Sequence, residues 1–173
     1  MAEDGPGIEA WKEHTSAFDR VRSVAETVSQ PRPASAIADE AHVAENTARD
    51  HLERLVDMNL LLKGNQEGTV VYSPDPLHTR MQTLRDLLES HSRDELIQLK
   101  AEMQEQTEMW RTEYDVDSPD ELRERAVETA TAAETRDVLK TVHDWELVQY
   151  RLNAVEDAIK NYATYSRDHR AFA

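Results

Sequence analysis

The chain has 173 residues and a formal net charge of -15, with 35 Asp and Glu against 20 Lys and Arg. It contains no cysteine, which excludes a disulfide framework, a thiolate metal site and a thiol redox switch. No apolar run approaches the roughly 18 to 20 residues of a membrane-spanning helix, and the first ten residues lack the basic and apolar regions of a secretory signal. We therefore expect a soluble, cytoplasmic protein without a membrane partner.

The acidic excess combines many carboxylates with very few lysines. One interpretation is a solvated acidic surface that repels polyanions. The other is adaptation to molar salt, as in a halophilic archaeon, where the Debye length falls to about 3 Å and surface repulsion is screened. We favour the second interpretation, under which the acidity does not count against DNA binding.

The first 15 residues contain glycines and a proline without helical periodicity, which predicts a flexible leader with Trp11 as an anchor. A helix is predicted from Ser16 onwards, because apolar residues recur there at steps of three and four. Pro31 and Pro33 end this helix. Its apolar face consists of Phe18, Val21, Val24, Ala25 and Val28.

Two further helices are predicted before residue 60. The shorter one starts with Ser35 as its N-cap and turns Ile37, Ala38 and Ala41 inward. The longer one runs from about Glu45 to Met58, and Asn59 ends it in a left-handed conformation. The residues that this longer helix buries are predicted to be Ala48, Leu52, Leu55 and Val56.

Two short β-prone runs follow, at residues 60–63 and 69–73. They flank the polar segment 64–68, which begins and ends with glycine. This arrangement predicts a β-hairpin over residues 60–73, closed by Pro74.

The rest of the chain is predicted to be helical almost throughout. The start signals are Asp75-Pro76, then Ser92 with Glu95, then Ser118 with Glu121, the last two being capping boxes. The expected helices cover residues 76–90, 93–114, 119–130 and 134–167.

The last of these helices carries a heptad pattern, formed by Val138, Trp145, Leu152 and Ile159. Such a seam is typical of a helix that packs against a partner helix, and it predicts a homodimer. The alternative is an amphipathic helix packed inside its own domain, which has the same periodicity.

Residues 34–61 have the spacing of a helix-turn-helix, a short helix followed by the tight turn Ala41-His42-Val43 and a second helix. Small residues at Ala38 and Ala48 allow the two helices to cross closely. The exposed side of the second helix begins with Glu45, Asn46 and Thr47, which would be free to enter a major groove. With the following hairpin as a wing, the segment predicts a winged helix.

The sequence resembles the winged helix-turn-helix transcriptional regulators of halophilic archaea, which are broadly similar to the ArsR group. The resemblance implies DNA binding, a homodimer and a cytoplasmic location. The matching segments are Ala36-Ile37-Ala38-Asp39, Asn46-Thr47-Ala48-Arg49 with His51-Leu52, Trp11 with Thr15-Ser16-Ala17-Phe18, and Trp145-Glu146-Leu147-Val148 with Tyr150-Arg151-Leu152.

We therefore predict a mainly α protein with a winged helix-turn-helix domain at residues 16–75 and an all-helical dimerisation or effector domain at 76–173. The predicted function is sequence-specific binding of double-stranded DNA and regulation of transcription, with residues 45–58 as the recognition helix. Asn46, Thr47 and Arg49 are predicted to read base edges. The predicted backbone and wing contacts are Arg32, Arg54, Lys63, Asn65 and Gln66.

An alternative function remains open, because the predicted recognition helix carries two arginines against four carboxylates. In that alternative the winged helix is a scaffold for binding another protein. No nucleophile elbow, P-loop, dinucleotide fingerprint or HExxH motif is present, so no enzymatic activity and no cofactor are expected. His143 and Glu146 lie three residues apart on one helix face but do not by themselves make a metal site. Aromatic residues of the helical domain are suited to line a pocket for a small-molecule effector, which the sequence does not identify.

Overall fold

The computed structural model describes residues 6–129 and 131–166. In this part of the chain the protein is mainly helical, with a small antiparallel sheet of three strands. The chain divides into two compact units, the first ending at Thr79 and the second beginning at Arg80. The sequence predicted the division after residue 75. None of the helices in the described residues combines the length and apolar character needed to cross a membrane.

Before the helix at the boundary, the described residues of the first unit form four helices, a hairpin and one short additional strand. In chain order these are α1 (Pro6–His14), α2 (Ala17–Thr27), β1 (Arg32–Pro33), α3 (Ala34–Ala41), α4 (Glu45–Asp57), β2 (Leu61–Gln66) and β3 (Thr69–Pro74). The sheet order is β1-β3-β2, with both neighbouring pairs antiparallel. Residues from α2, α3, α4 and the hairpin share one core, which includes Val21, Ile37, Leu52, Leu55, Leu61 and Tyr72.

The prediction of a flexible leader is wrong for residues 6–14, which form α1, while residues 1–5 lie outside the described residues. Tertiary contacts hold this helix. The Trp11 and His42 rings are nearly perpendicular, with their centres 6.3 Å apart, and the Arg20 guanidinium lies 6.0 Å from the centre of the Trp11 ring. Trp11 is therefore partly buried. The contacts that stabilise α1 are tertiary, so the pattern of apolar residues within the segment does not predict the helix.

The start of α2 is confirmed, since Ser16 accepts a hydrogen bond from the Asp19 amide and the Asp19 carboxylate accepts one from the Ser16 amide. The predicted cap of α3 is wrong. The helix begins at Ala34 with Pro33 in the cap position, and Ser35 lies inside the helix. The cause is the short strand β1, which fixes Pro33 in an extended conformation opposite Val71.

The hairpin is longer than predicted, because residues 64–66 belong to β2 instead of a loop. Asn65 pairs with Val70 and Gln66 with Thr69, which leaves only Glu67 and Gly68 to form the turn. Both residues have positive φ, 51° and 85°, as a type I′ turn requires. The left-handed Asn59 predicted after α4 is confirmed, with φ of 58°.

The helix α5 (Pro76–Ser90) contains the boundary between the units, and the second unit continues with helices only in its described residues. These are α6 (Arg93–Tyr114), α7 (Pro119–Arg125), a short 3-10 turn (Ala126–Glu128), α8 (Ala132–Lys160) and α9 (Tyr162–Tyr165). The predicted bounds of α5 and α6 are confirmed. The helix predicted over 119–130 ends instead at Arg125, and the one predicted over 134–167 begins at Ala132 and breaks at Asn161; residues 130 and 167 lie outside the described part.

The start signals of the second unit hold in most details. The capping box at Ser92 and Glu95 is complete. At Ser118 only half of the predicted box forms: the Ser118 hydroxyl accepts from the Glu121 amide, but the Glu121 carboxylate accepts from the Asp117 amide instead of the Ser118 amide. A further box, at Thr131 and Glu134, starts α8.

Candidate functional site

The helices α3 and α4 are joined by a tight turn of three residues. His42 ends α3 in the left-handed conformation, with φ and ψ of 51°, and the Val43 amide donates to the Ala38 carbonyl at 3.1 Å. Val43 then packs against the core. Ala38 and Ala48 are both almost fully buried, so small side chains permit close packing of the two helices. The turn fixes the direction in which α4 leaves.

One side of α4 is anchored by Ala48, Leu52 and Leu55, all fully buried. On the other side, Asn46 and Arg49 are exposed, whereas Thr47 is half-buried. The N-cap position holds Ala44, which has no side-chain acceptor for the first-turn amides. Of the three predicted base readers, two thus lie in solvent on the first turns of α4, and Thr47 lies at the edge of the buried side.

The predicted cations of the site are all engaged by neighbouring side chains. Arg49 pairs with Glu45 at 2.6 Å, Lys63 with Glu53 at 2.7 Å, and Arg32 with Glu40 at 2.7 Å. Arg54 lies over the ring of Phe18, 5.0 Å from its centre. The electrostatic potential of this surface is therefore set by ion pairs as well as by its arginines and lysine.

Glu53 is the centre of a small network that joins α4 to the hairpin. Its Oε1 accepts a 2.6 Å hydrogen bond from the Tyr72 hydroxyl, and the same oxygen lies 2.7 Å from Lys63 Nζ. The Lys63 hydrogen bond, followed by that of Tyr72, lowers the pKa of Glu53 below its ordinary value. Burial, reinforced by the hydrogen bond to Glu53, raises the pKa of Tyr72 to about 12.

The wing residues lie on β2, where Lys63, Asn65 and Gln66 are exposed. The Asn65 Oδ1 accepts from the Gly68 amide at 2.9 Å, so this side chain supports the turn. The structure brings Lys63 to α4 through Glu53. The ion pair with Glu40 holds Arg32 beside α3, and strand pairing places β1, which contains Arg32, beside β3.

Sequence reasoning missed the three glutamates that pair with these cations. The spacing of Glu45 and Arg49, four residues apart on one helix, was a sufficient signal for that pair. The Lys63 to Glu53 contact had none, because it depends on the register that places Lys63 opposite Tyr72 in the hairpin.

The four residues of the predicted dimer seam on α8 all contact other residues of the second unit, but to different degrees. Trp145 is 0% exposed and packs against Trp110, with ring centres 5.8 Å apart. Val138 packs against the same cluster, and Leu152 and Ile159 pack against a second cluster formed with α5 and α6. Trp145 therefore packs inside its own unit, as the alternative interpretation expects. Val138, Leu152 and Ile159 are half-buried, and the homodimer stays a prediction.

A metal site at His143 and Glu146 on α8 gains no geometric support from the structure. The Glu146 carboxylate pairs with Arg123 at 2.5 Å. Within residues 6–129 and 131–166, no three His, Asp or Glu side chains are grouped as a metal site would require.

Residues 15–164 match a family described as a family of unknown function, DUF7342. No curated protein and no solved structure matches the chain. Since the match includes the helices α2 to α8 and the whole hairpin, the chain belongs to the DUF7342 family of unknown function.

Proposed function

We propose that residues 16–75 form a winged helix-turn-helix domain that binds specific sequences of double-stranded DNA, and that the protein regulates transcription. In this assignment α3, the three-residue turn and α4 are the helix-turn-helix, and β2 with β3 is the wing. The element order supports it, since β1 lies between α2 and α3 and completes the sheet β1-β3-β2. It agrees with the resemblance to ArsR-like regulators of halophilic archaea.

The observation that carries the proposal is the two-sided character of the start of α4. Ala48 and Leu52 fix this helix to the core, while Asn46 and Arg49 extend into solvent directly after the turn. A major groove admits one α-helix, and its base edges are read by side chains of these types. Asn pairs with adenine and Arg with guanine, each through two hydrogen bonds, whereas the Thr47 methyl suits thymine.

The remaining predicted contacts would position the domain on the duplex. Arg32, Arg54 and Lys63 are suited to phosphate oxygens, and Asn65 and Gln66 to the backbone or the minor groove near the wing. Because Arg32 and Lys63 are paired with glutamate, phosphate has to replace a carboxylate at each of these two cations. The dependence of affinity on salt should therefore be shallower than that of a basic repressor.

Residues 76–173 would supply a dimer contact or an effector site. A two-fold dimer matches the palindromic half-sites that helix-turn-helix proteins read. Since Trp145 is inside the core, a second copy would have to contact other residues of this region. An effector, if one binds, is unidentified.

Fluorescence anisotropy tests the function. A duplex is enriched from a random pool by the full chain in about 2 M KCl, the condition that screens its acidic surface, and a scrambled duplex serves for comparison. Replacing Asn46, Thr47 or Arg49 with Ala should cost about 1 to 3 kcal/mol on the enriched duplex and little on the scrambled one. Lys63→Ala should weaken both about equally, since phosphate carries no sequence information.

The exposed Arg136, at the start of α8, provides a matched control for the loss of a positive charge. Arg136→Ala should bind both duplexes as the wild type does. If the pool yields no enriched sequence, the DNA-binding proposal fails.

One observation favours a second candidate, a module that binds another protein. Asp50, Glu53 and Asp57 recur at three- and four-residue steps along α4, on the side opposite Leu52 and Leu55. An acidic helix face of this kind is complementary to a basic protein surface. Failure of the DNA selection would make this candidate the preferred function.

A further inference from the structure

Three glutamates hold the cations that the proposed DNA contacts require. Glu40, Glu45 and Glu53 each place a carboxylate oxygen within 2.7 Å of an arginine or lysine nitrogen. The partners are Arg32, Arg49 and Lys63 respectively. All six side chains are about half-exposed, and ion pairs in such surroundings are weak and open readily.

When a DNA phosphate pairs with one of these cations, the glutamate loses its partner and lies beside the phosphate. The two negative charges then repel each other, which offsets much of what the new contact contributes. DNA binding that relies on phosphate contacts alone therefore gains little affinity from these cations. Binding that adds base contacts keeps the contributions of Asn46 and Thr47, which displace no carboxylate. On the specific site Arg49 also leaves Glu45, but it turns to a neutral base, so no phosphate is placed beside that carboxylate.

Glu53 should show this effect most strongly. The Tyr72 hydroxyl donates to its carboxylate at 2.6 Å, and this bond does not depend on Lys63. This hydrogen bond holds the carboxylate near Lys63 after the lysine turns to a phosphate, and it opposes a rotation that would relieve the repulsion.

We propose that Glu40, Glu45 and Glu53 are specificity-determining residues, which suppress binding to random DNA by serving as internal counter-charges. The inference rests on the proposed DNA-binding function. It assigns a role to acidic residues that contact no base, and it makes the acidity of this surface a source of discrimination.

The test replaces each glutamate with glutamine in the full chain, as Glu40→Gln, Glu45→Gln and Glu53→Gln. Each change should raise affinity for the scrambled duplex about threefold to tenfold near 0.1 M KCl and lower the ratio of enriched to scrambled affinity. Each freed cation should also steepen the slope of log K against log[KCl] by about 0.9. A purely structural role for these glutamates would not change that slope.

The matched control is Glu156→Gln, which removes the partner of Lys100 at 3.2 Å in the second unit and changes the net charge equally. It should leave affinity and slope unchanged. The double variant Glu45→Gln with Arg49→Gln should lose the gain that Glu45→Gln gives on the scrambled duplex, because the freed cation is gone. Circular dichroism checks folding; should Glu53→Gln unfold, Glu45→Gln decides, since Glu45 lies exposed at the start of α4.

Two results would overturn the inference in distinguishable ways. If the wild type prefers the enriched duplex but the glutamine variants bind the scrambled duplex no better and with the same slope, the glutamates have no such role and the proposed function stands. If no sequence is enriched by the wild type, the proposed function fails and the inference fails with it.

Discussion

The Tyr72 hydroxyl donates a 2.6 Å hydrogen bond to the carboxylate of Glu53, across 19 positions of sequence. It links the middle of α4 to the central strand of the sheet, β3. Lys63 on β2 adds a second contact to the same oxygen. One carboxylate of α4 thus contacts both strands of the hairpin, in addition to the apolar core that α4 and the hairpin share.

Loss of this carboxylate should make stability less dependent on acidic pH. The folded-state pKa of Glu53 lies below its ordinary value of 4.5, so its stabilising contribution is fully present above that pH and is lost as pH falls through the lowered pKa. Urea unfolding should show Glu53→Gln less stable than the wild type at pH 7, with a difference that shrinks in acid. The exposed Glu89, replaced with Gln, is the control. A constant difference between pH 7 and 3 would contradict the assignment.

At alkaline pH the same pair should be visible through its tyrosine. Burial and the Glu53 hydrogen bond raise the pKa of Tyr72 to about 12, so its contribution persists below the ordinary pKa of 10 and is lost as pH rises through 12. Tyrosinate absorbance of the wild type should contain a component titrating near pH 12. That component should be missing in Tyr72→Phe, and its survival there would assign it to another tyrosine.

Removal of the buried Arg20 side chain should destabilise the first unit. Its Nε donates to the Ala41 carbonyl at 3.0 Å and its Nη1 to the Thr15 carbonyl at 2.7 Å, which ties the segment after α1 to the end of α3. Arg20→Ala should lower the free energy of unfolding by about 2 to 4 kcal/mol, because buried carbonyls lose charged donors. Arg22→Ala, which removes only a half-exposed pair with Glu26, should cost less than about 1 kcal/mol. Equal effects would be inconsistent with a structural role for Arg20.

Trp145→Ala should destabilise the second unit by about 3 to 5 kcal/mol, since it leaves a large cavity beside Trp110. Urea unfolding followed by circular dichroism measures the loss. Leu147→Ala is the control, because Leu147 is 53% exposed on the same helix and should cost about 0.5 kcal/mol or less. The midpoint shift caused by Trp145→Ala should not depend on protein concentration; a dependence would return Trp145 to an interface between chains.

The hairpin turn should respond to substitution at its two central residues. Glu67 and Gly68 both have positive φ, a conformation that Asn-Gly adopts with little strain. Glu67→Asn should raise stability by a few tenths of a kcal/mol, and Gly68→Ala should lower it by about 1 kcal/mol or more even though its Cβ would meet no atom within 4 Å. Thermal melting of the two variants beside the wild type measures both changes. Opposite signs from these would exclude the type I′ turn.

The melting temperature should rise with salt. With a net charge of -15, repulsion among carboxylates destabilises the compact state, and added KCl screens it. Melting followed by circular dichroism should show a transition that climbs from about 0.1 to 2 M KCl. A flat or falling dependence would remove the argument for adaptation to salt.

Local patterns in the sequence determined the helical content and many element ends. Ser16, Ser92 and Asn59 act at the termini where they were predicted, because a cap or a left-handed residue needs only its immediate neighbours. The apolar spacing likewise determined which side of α4 is buried. Asn46 and Arg49 are exposed for the same reason.

Tertiary structure decided what local patterns leave open. A helix at Pro6–His14 needed Trp11 to contact His42, and the short strand at Arg32 needed β3 opposite it. A heptad repeat gives the same signal whether a helix covers its own unit or another chain, and only the packing against Trp110 places Trp145 inside its own unit. The pairing of Lys63 with Glu53 depends on strand register, so this counter-charge follows from a contact between two elements that no single segment of sequence encodes, unlike that of Glu45 with Arg49 on one helix.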